Sequence, residues 1–142
     1  MSKPALIRRR DAVEKVRARF DGKSFLLGRR DCAILAASLL RGLGHKVPKV
    51  RPYKNEVGAV RALRELGAKD LAALLDSLGL PRIAPATALM GDLMFTEGDG
   101  EAGIGALHIA LGNGAVMGFH EDHPGLISGR AVDVKAAWSV LP

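Results

Sequence analysis

The spacing of apolar residues changes near residue 90. Before that point, apolar residues recur every three or four positions, which predicts amphipathic helices. After it, short apolar runs alternate with glycine-containing turns, which is typical of β-strands. Helices followed by a small antiparallel sheet indicate an α+β fold. We therefore predict a single domain over residues 1–142, helical over about 1–85 and a sheet over about 90–142.

The first two helices have the clearest signals. Residues 5–20 place apolar side chains near one face and Arg and Lys opposite, and Asp21-Gly22 ends the helix. Asp31 is a suitable N-cap, so that Cys32 opens a second helix running to about Leu43. A loop over 45–56 and two short helices near 57–66 and 69–78 follow. The apolar positions expected on the inner face of the first helix are Leu6, Val13, Val16 and Phe20.

The sheet is predicted mainly from one hairpin. Asn113-Gly114 separates the apolar runs 106–111 and 115–119, and Asn-Gly between two such runs is a strong hairpin signal. A two-residue turn there brings residues 108 and 118 nearly level. A strand over 92–96 precedes the hairpin. Further short strands are predicted at 126–127, at 131–134 and near Val140, with Trp138 as the large packing residue.

Composition limits the possible partners and compartments. The formal net charge of +6 fits either a solvated basic surface or affinity for a polyanion such as nucleic acid or an anionic cell wall. No helix-turn-helix, zinc-finger or RNA-binding signature is present, so we do not expect a nucleic-acid partner. The N-terminus lacks the apolar region of a signal peptide, and no stretch suits membrane insertion. We expect synthesis in a cytoplasm.

The only cysteine is a candidate nucleophile. Cys32 would begin its helix, where backbone amides and the helix dipole favour a thiolate. Arg29 and Arg30 act in the same direction, whereas Asp31 opposes it. The alternative is a small buried apolar residue, which is common for a free cysteine.

Two histidines of the hairpin region could assist this cysteine. His108 is a candidate base, and His120 falls about one residue pair beyond it, where it could orient the imidazole as in a catalytic triad. His108 could instead be a satisfied strand residue. We expect His123 in a solvated loop and His45 at the surface.

Two other site chemistries remain open. Cys32, His108, His120 and His123 could together bind zinc, although their spacing matches no short zinc signature. Asp92 could act as a general base, but an aspartate that caps the turn before a strand is the more common arrangement.

Three sequence blocks resemble NlpC-type cell-wall cysteine peptidases, which are compact papain-like enzymes. The blocks are Asp31-Cys32, then Gly91-Asp92-Leu93-Met94-Phe95, then the run from His108 to Gly114, and they occur in the family's order. The resemblance covers about residues 25–134. Within this family, the chain most resembles a short branch encoded by phages and prophages. Members of that branch carry a Gly-Arg-x-Asp-Cys block and an Ala-Trp pair, here Ala137-Trp138.

The resemblance implies a papain-like fold in which the nucleophile lies at a helix N-terminus packed on a small antiparallel sheet. It implies Cys32 as nucleophile, His108 as base and His120 as the third polar residue. The substrate class would be peptidoglycan stem peptides, and no metal or organic cofactor is implied. By the same analogy we expect a phage tail-tip hydrolase, with tail-tip or hub proteins as partners, that acts from the virion on the bacterial envelope.

Two departures from the family pattern keep alternatives open. Ala33-Ile34 replaces the Ser-Gly that follows the family's cysteine, and Phe25 replaces a tyrosine near the oxyanion. Phe25 and Asp31 are the candidate substrate or oxyanion positions. The alternatives are a catalytically silent structural component of a tail tip with this fold, and an intracellular acyl- or amide-transfer enzyme of the same chemistry.

Overall fold

The computed structural model describes residues 3–97, 103–119 and 126–141. Within these ranges, four N-terminal helices pack on a six-stranded antiparallel sheet, which confirms the predicted α+β class. The helices are α1 (Ala5–Phe20), α2 (Cys32–Gly42), α3 (Glu56–Glu65) and α4 (Leu71–Ser77). The strands are β1 (Arg82–Ile83), β2 (Leu93–Thr96), β3 (Ala106–Gly112), β4 (Ala115–Phe119), β5 (Leu126–Arg130) and β6 (Ala136–Trp138).

The helices begin where side chains can cap them. The carboxylate of Asp31 accepts from the backbone N–H of Ile34, and Asn55 and Asp70 do the same for α3 and α4. Each cap satisfies one of the amides that the first turn of a helix leaves unpaired. The predicted start of α2 at Cys32 is confirmed.

The sheet follows the order β1-β6-β2-β3-β4-β5. Asn113 and Gly114 form the β3–β4 turn with φ values of 55° and 80°, the left-handed conformation that a two-residue hairpin turn requires. A bulge lies between Ala110 and Gly112, beyond which Ile109 pairs with Met117. This register brings position 108 level with 118, as the hairpin pattern predicts.

The hydrophobic core fills the space between helices and sheet. Trp138 of β6 is fully buried, together with Leu35, Leu39, Leu93 and Ile109. The indole N–H of Trp138 donates to Asp76 Oδ1 at 2.9 Å, which ties the sheet to the end of α4. None of the helices within the described ranges combines the length and apolarity needed to cross a bilayer.

The strands predicted over residues 131–134 and near Val140 are wrong, and one observed strand was not predicted. Val140 lies outside β6, which ends at Trp138. Residues 131–134 form no strand, because the chain turns away at Asp133 with a φ of 56°, and β5 instead extends to Arg130. β1, which pairs with β6, has too few residues for a periodic signal and was not predicted.

Two side chains of α1 also depart from the prediction. Leu6, expected on the inner face, is 64% exposed. Arg9, expected on the solvated face, is only 3% exposed, and its Nη1 lies 2.6 Å from Asp92 Oδ1. Arg9 also donates to the carbonyls of Met90 and Leu141. The arginine thus fastens the first helix to the segment before β2 and to the C-terminal segment.

Candidate active site

A tight loop sets the position of the candidate nucleophile. Leu26 and Arg30 exchange two backbone hydrogen bonds, which closes the loop immediately before α2. Gly28 lies at its tip with a φ of 85°, and a Cβ there would come within 2.0 Å of the Tyr53 carbonyl oxygen. Glycine is therefore required both for the backbone conformation and for the close approach of residue 53.

Asp31 is fully engaged by protein donors. It is buried, and its carboxylate accepts from the N–H groups of Gly28 and Ile34, each at 2.9 Å, and from the hydroxyl of Tyr53. A carboxylate accepts hydrogen bonds and cannot donate one to an oxyanion. Asp31 therefore holds the start of α2 in place and cannot be an oxyanion donor.

The Cys32 thiol is protonated in the resting structure. Cys32 is half-buried, and burial raises its pKa from 9.0 to about 11, with the nearby Asp31 carboxylate adding to the rise. Hydrogen bonding from the backbone at Leu107 and at the start of α2 acts in the opposite direction. The expected thiolate-favouring effect of the helix start is therefore present, but it is outweighed by burial.

His108 lies on β3 beside the adjacent strands. Its Nε2 is 3.3 Å from the Thr96 hydroxyl on β2, and its Nδ1 faces Gly118 on β4. A Cβ at position 118 would lie 3.0 Å from Nδ1, so the absence of a side chain there makes room for the ring. Burial lowers the pKa of His108, so the imidazole is neutral at neutral pH and able to accept a proton.

These groups line one cavity of about 940 Å³. Its lining includes Cys32, His108, Asp31 and Phe25, which are four of the five residues singled out from the sequence. The fifth, His120, lies outside the described residues, as does His123.

Two hydroxyl-bearing residues of the cavity were not found from the sequence. Tyr53 reaches Asp31 from the loop before α3, and Thr96 reaches His108 from the end of β2. Burial and the Asp31 carboxylate both raise the pKa of Tyr53, so its phenol remains a hydrogen-bond donor. The only signal for Tyr53 was an isolated aromatic residue in a loop rich in Pro and Lys.

The remaining sequence candidates, Asp92 and His45, make contacts with the backbone that stabilise the fold. Asp92 is 1% exposed and accepts from the backbone amides of Leu89 and Val140, so it caps the turn before β2 as expected. The expectation for His45 is wrong, because it is half-buried and its Nε2 lies 2.7 Å from the Val140 carbonyl. Within residues 3–97, 103–119 and 126–141, no three potential metal-binding side chains cluster.

The fold is that of solved NlpC/P60 proteins. An NlpC/P60 family protein from Bacillus cereus superposes over 100% of this chain with a TM-score of 0.65 and 14% identity. The peptidoglycan hydrolase RipB from Mycobacterium tuberculosis does so over 99% with a TM-score of 0.61 and 18% identity. The matched regions are 42% and 69% of those chains, so this chain spans less than half of the Bacillus protein.

By sequence, the chain belongs to the DUF6950 family. The family model, described as a domain of unknown function, matches residues 6–140. The comparison with curated proteins finds no match.

Proposed function

We propose that this protein is a cysteine peptidase that hydrolyses peptide bonds in peptidoglycan stem peptides. One observation carries the proposal: Cys32 at the start of α2 and His108 on the sheet line the same cavity. A thiol and an uncharged imidazole in one partly desolvated site are the two groups that nucleophilic acyl transfer requires. The fold similarity to peptidoglycan hydrolases supports the choice of substrate.

The resting state determines how the reaction starts. Because the pKa of Cys32 is raised and that of His108 is lowered, both groups are neutral before substrate binds. His108 takes the thiol proton as the sulfur attacks the scissile carbonyl, and it then donates that proton to the leaving amine. The backbone N–H of Cys32, at the helix start, is available to the developing oxyanion.

The second half of the reaction releases the acid. Water attacks the Cys32 thioester after giving a proton to His108, and the proton returns to the sulfur as the carboxylic acid leaves. His120 is proposed to orient the imidazole, as the resemblance implies. Thr96 is a second group in contact with that ring.

The net charge and the proposed setting agree with an anionic wall as target. The net charge of +6 favours approach to a polyanionic polymer. We propose that the protein acts from a phage tail tip, where tail-tip or hub proteins carry it to the envelope. Mass spectrometry of purified virions tests this: finding the chain among the tail proteins supports the setting, and finding it only in lysate contradicts it.

The activity itself is tested by digesting purified peptidoglycan and identifying the new peptide termini by mass spectrometry. We expect new termini with the wild-type protein and none with Cys32→Ala. Ser38→Ala, which lies on the same helix and outside the residues lining the cavity, is the matched control and should retain activity. Hydrolysis by Cys32→Ala at the wild-type rate would refute the proposal.

A catalytically silent structural component with the same fold is the second candidate. The observation in its favour is the burial that raises the pKa of Cys32 to about 11, because a protonated thiol is a poor nucleophile. Its signature would be an alkylation rate of Cys32 that is the same in the wild type and in His108→Ala, together with intact peptidoglycan.

A further inference from the structure

The cavity continues beyond the Cys32–His108 site as an apolar groove. We define the α2–α4 groove by six half-buried residues that line the cavity and keep part of their apolar surface accessible. These residues are Ile34, Val47, Leu66, Leu74, Leu78 and Ile104. Cys32 lines the same cavity, so the groove is continuous with the candidate nucleophile.

Few charged groups are available inside the groove. The charged side chains lining the whole cavity are Asp31, Arg41, Arg51 and Glu56. Asp31 is occupied by three donors, and Arg51 pairs with Glu65 at 2.6 Å. Arg41 and Glu56 are exposed at the rim.

The groove itself disfavours a charged occupant, whereas the part of the cavity at Cys32 and His108 carries polar groups. A carboxylate drawn into the groove would lose its hydration without gaining a partner, which is costly. An aliphatic chain would instead be removed from water against leucine, isoleucine and valine side chains, at about 25 cal/mol per Å² of apolar surface. Concave, largely apolar pockets with a few convergent polar groups are typical small-molecule sites.

We propose that the α2–α4 groove binds the aliphatic chain of an acyl ester or thioester and presents its carbonyl to Cys32. The proposal rests on the cysteine chemistry given above and goes beyond it in the substrate class. The sulfur bonds to the acyl carbon as the alcohol or thiol departs with the proton held by His108. Water then cleaves the acyl–sulfur bond, which releases the fatty acid and restores the thiol.

Binding can be measured without turnover. Isothermal titration of Cys32→Ala protein with the uncharged amides butanamide, octanamide and dodecanamide should show affinity that rises with chain length, about fourfold for each added methylene until the groove is filled. Leu74→Glu, in the groove, should abolish that dependence. Val132→Glu is the matched control, because Val132 is 73% exposed and does not line the cavity.

If Leu74→Glu does not fold, the milder variant Leu74→Ser replaces it. Leu74→Ser should weaken dodecanamide binding at least tenfold with an unchanged circular dichroism spectrum. Affinity independent of chain length, or equal loss in the Val132 control, would overturn the proposal. Chain-length-dependent binding with uncut peptidoglycan would refute only the peptidase function. Cleaved peptidoglycan together with affinity that does not depend on chain length would refute only the acyl site.

Discussion

The hydroxyl of Tyr53 donates a hydrogen bond to Asp31, which caps the helix that begins with Cys32. The two residues are 22 positions apart, and the contact joins the loop before α3 to the start of α2. Gly28 allows this approach, since any side chain there would collide with the Tyr53 carbonyl. The position of Cys32 therefore depends on a segment remote from it in sequence.

Removing that hydroxyl should destabilise the protein. Tyr53→Phe loses a hydrogen bond to a charged, buried acceptor, which is worth about 1.5–3 kcal/mol. Urea denaturation of Tyr53→Phe, Asp31→Asn and the double variant gives the coupling between the two residues. We expect a coupling of about 1 kcal/mol or more; strictly additive effects would show that the contact contributes nothing.

The buried ion pair between Arg9 and Asp92 gives a larger expected effect. Arg9→Ala would leave a buried carboxylate without its cation, which typically costs about 3–5 kcal/mol. The matched control is Arg10→Ala, because Arg10 is the neighbouring residue and its bridge to Asp11 is exposed. That change should alter the free energy of unfolding by no more than about 0.5 kcal/mol. Similar losses in the two variants would contradict the structural role of Arg9.

A methyl group beside His108 should impair catalysis more than folding. In Gly118→Ala, the new Cβ would lie 3.0 Å from Nδ1, so the ring must shift by a few tenths of an ångström. Displacing a catalytic group by such amounts costs roughly tenfold or more in turnover. Gly129→Ala on the adjacent strand has nothing within 4 Å and serves as the control. Peptide release from peptidoglycan, measured with both variants, should fall only for Gly118→Ala.

Neutralising Asp31 should make the thiol more reactive. The Asp31 carboxylate contributes to the raised pKa of Cys32, so Asp31→Asn should lower that pKa, while asparagine still caps the helix. A fall of half a unit gives roughly a threefold larger thiolate fraction at pH 8. Iodoacetamide alkylation followed by mass spectrometry measures this. A slower reaction in Asp31→Asn would show that the carboxylate favours the thiolate instead.

The sequence predicts local features well because their signals are local. The bounds of α1, the start of α2 at Cys32 and the Asn113-Gly114 hairpin depend on periodicity, caps and turn residues within a few positions. The burial of Arg9 depends on Asp92, 83 positions later, and no helical pattern reports such a partner.

The site shows the same limit. Cys32 and His108 are identified from their residue types and neighbours, and the structure brings both to one cavity. The contact of Tyr53 with Asp31 and the burial that sets the thiol pKa are products of tertiary packing. A sequence pattern therefore names the candidate reacting groups but not their protonation.

The central claim is that Cys32 and His108 work as a pair, and alkylation of Cys32 tests it most directly. The rate at pH 8 is measured for the wild type, for His108→Ala and for His45→Ala, whose ring contacts the Val140 carbonyl. We predict at least a tenfold slower reaction in His108→Ala and an unchanged rate in His45→Ala. Equal rates in all three folded proteins would contradict the account.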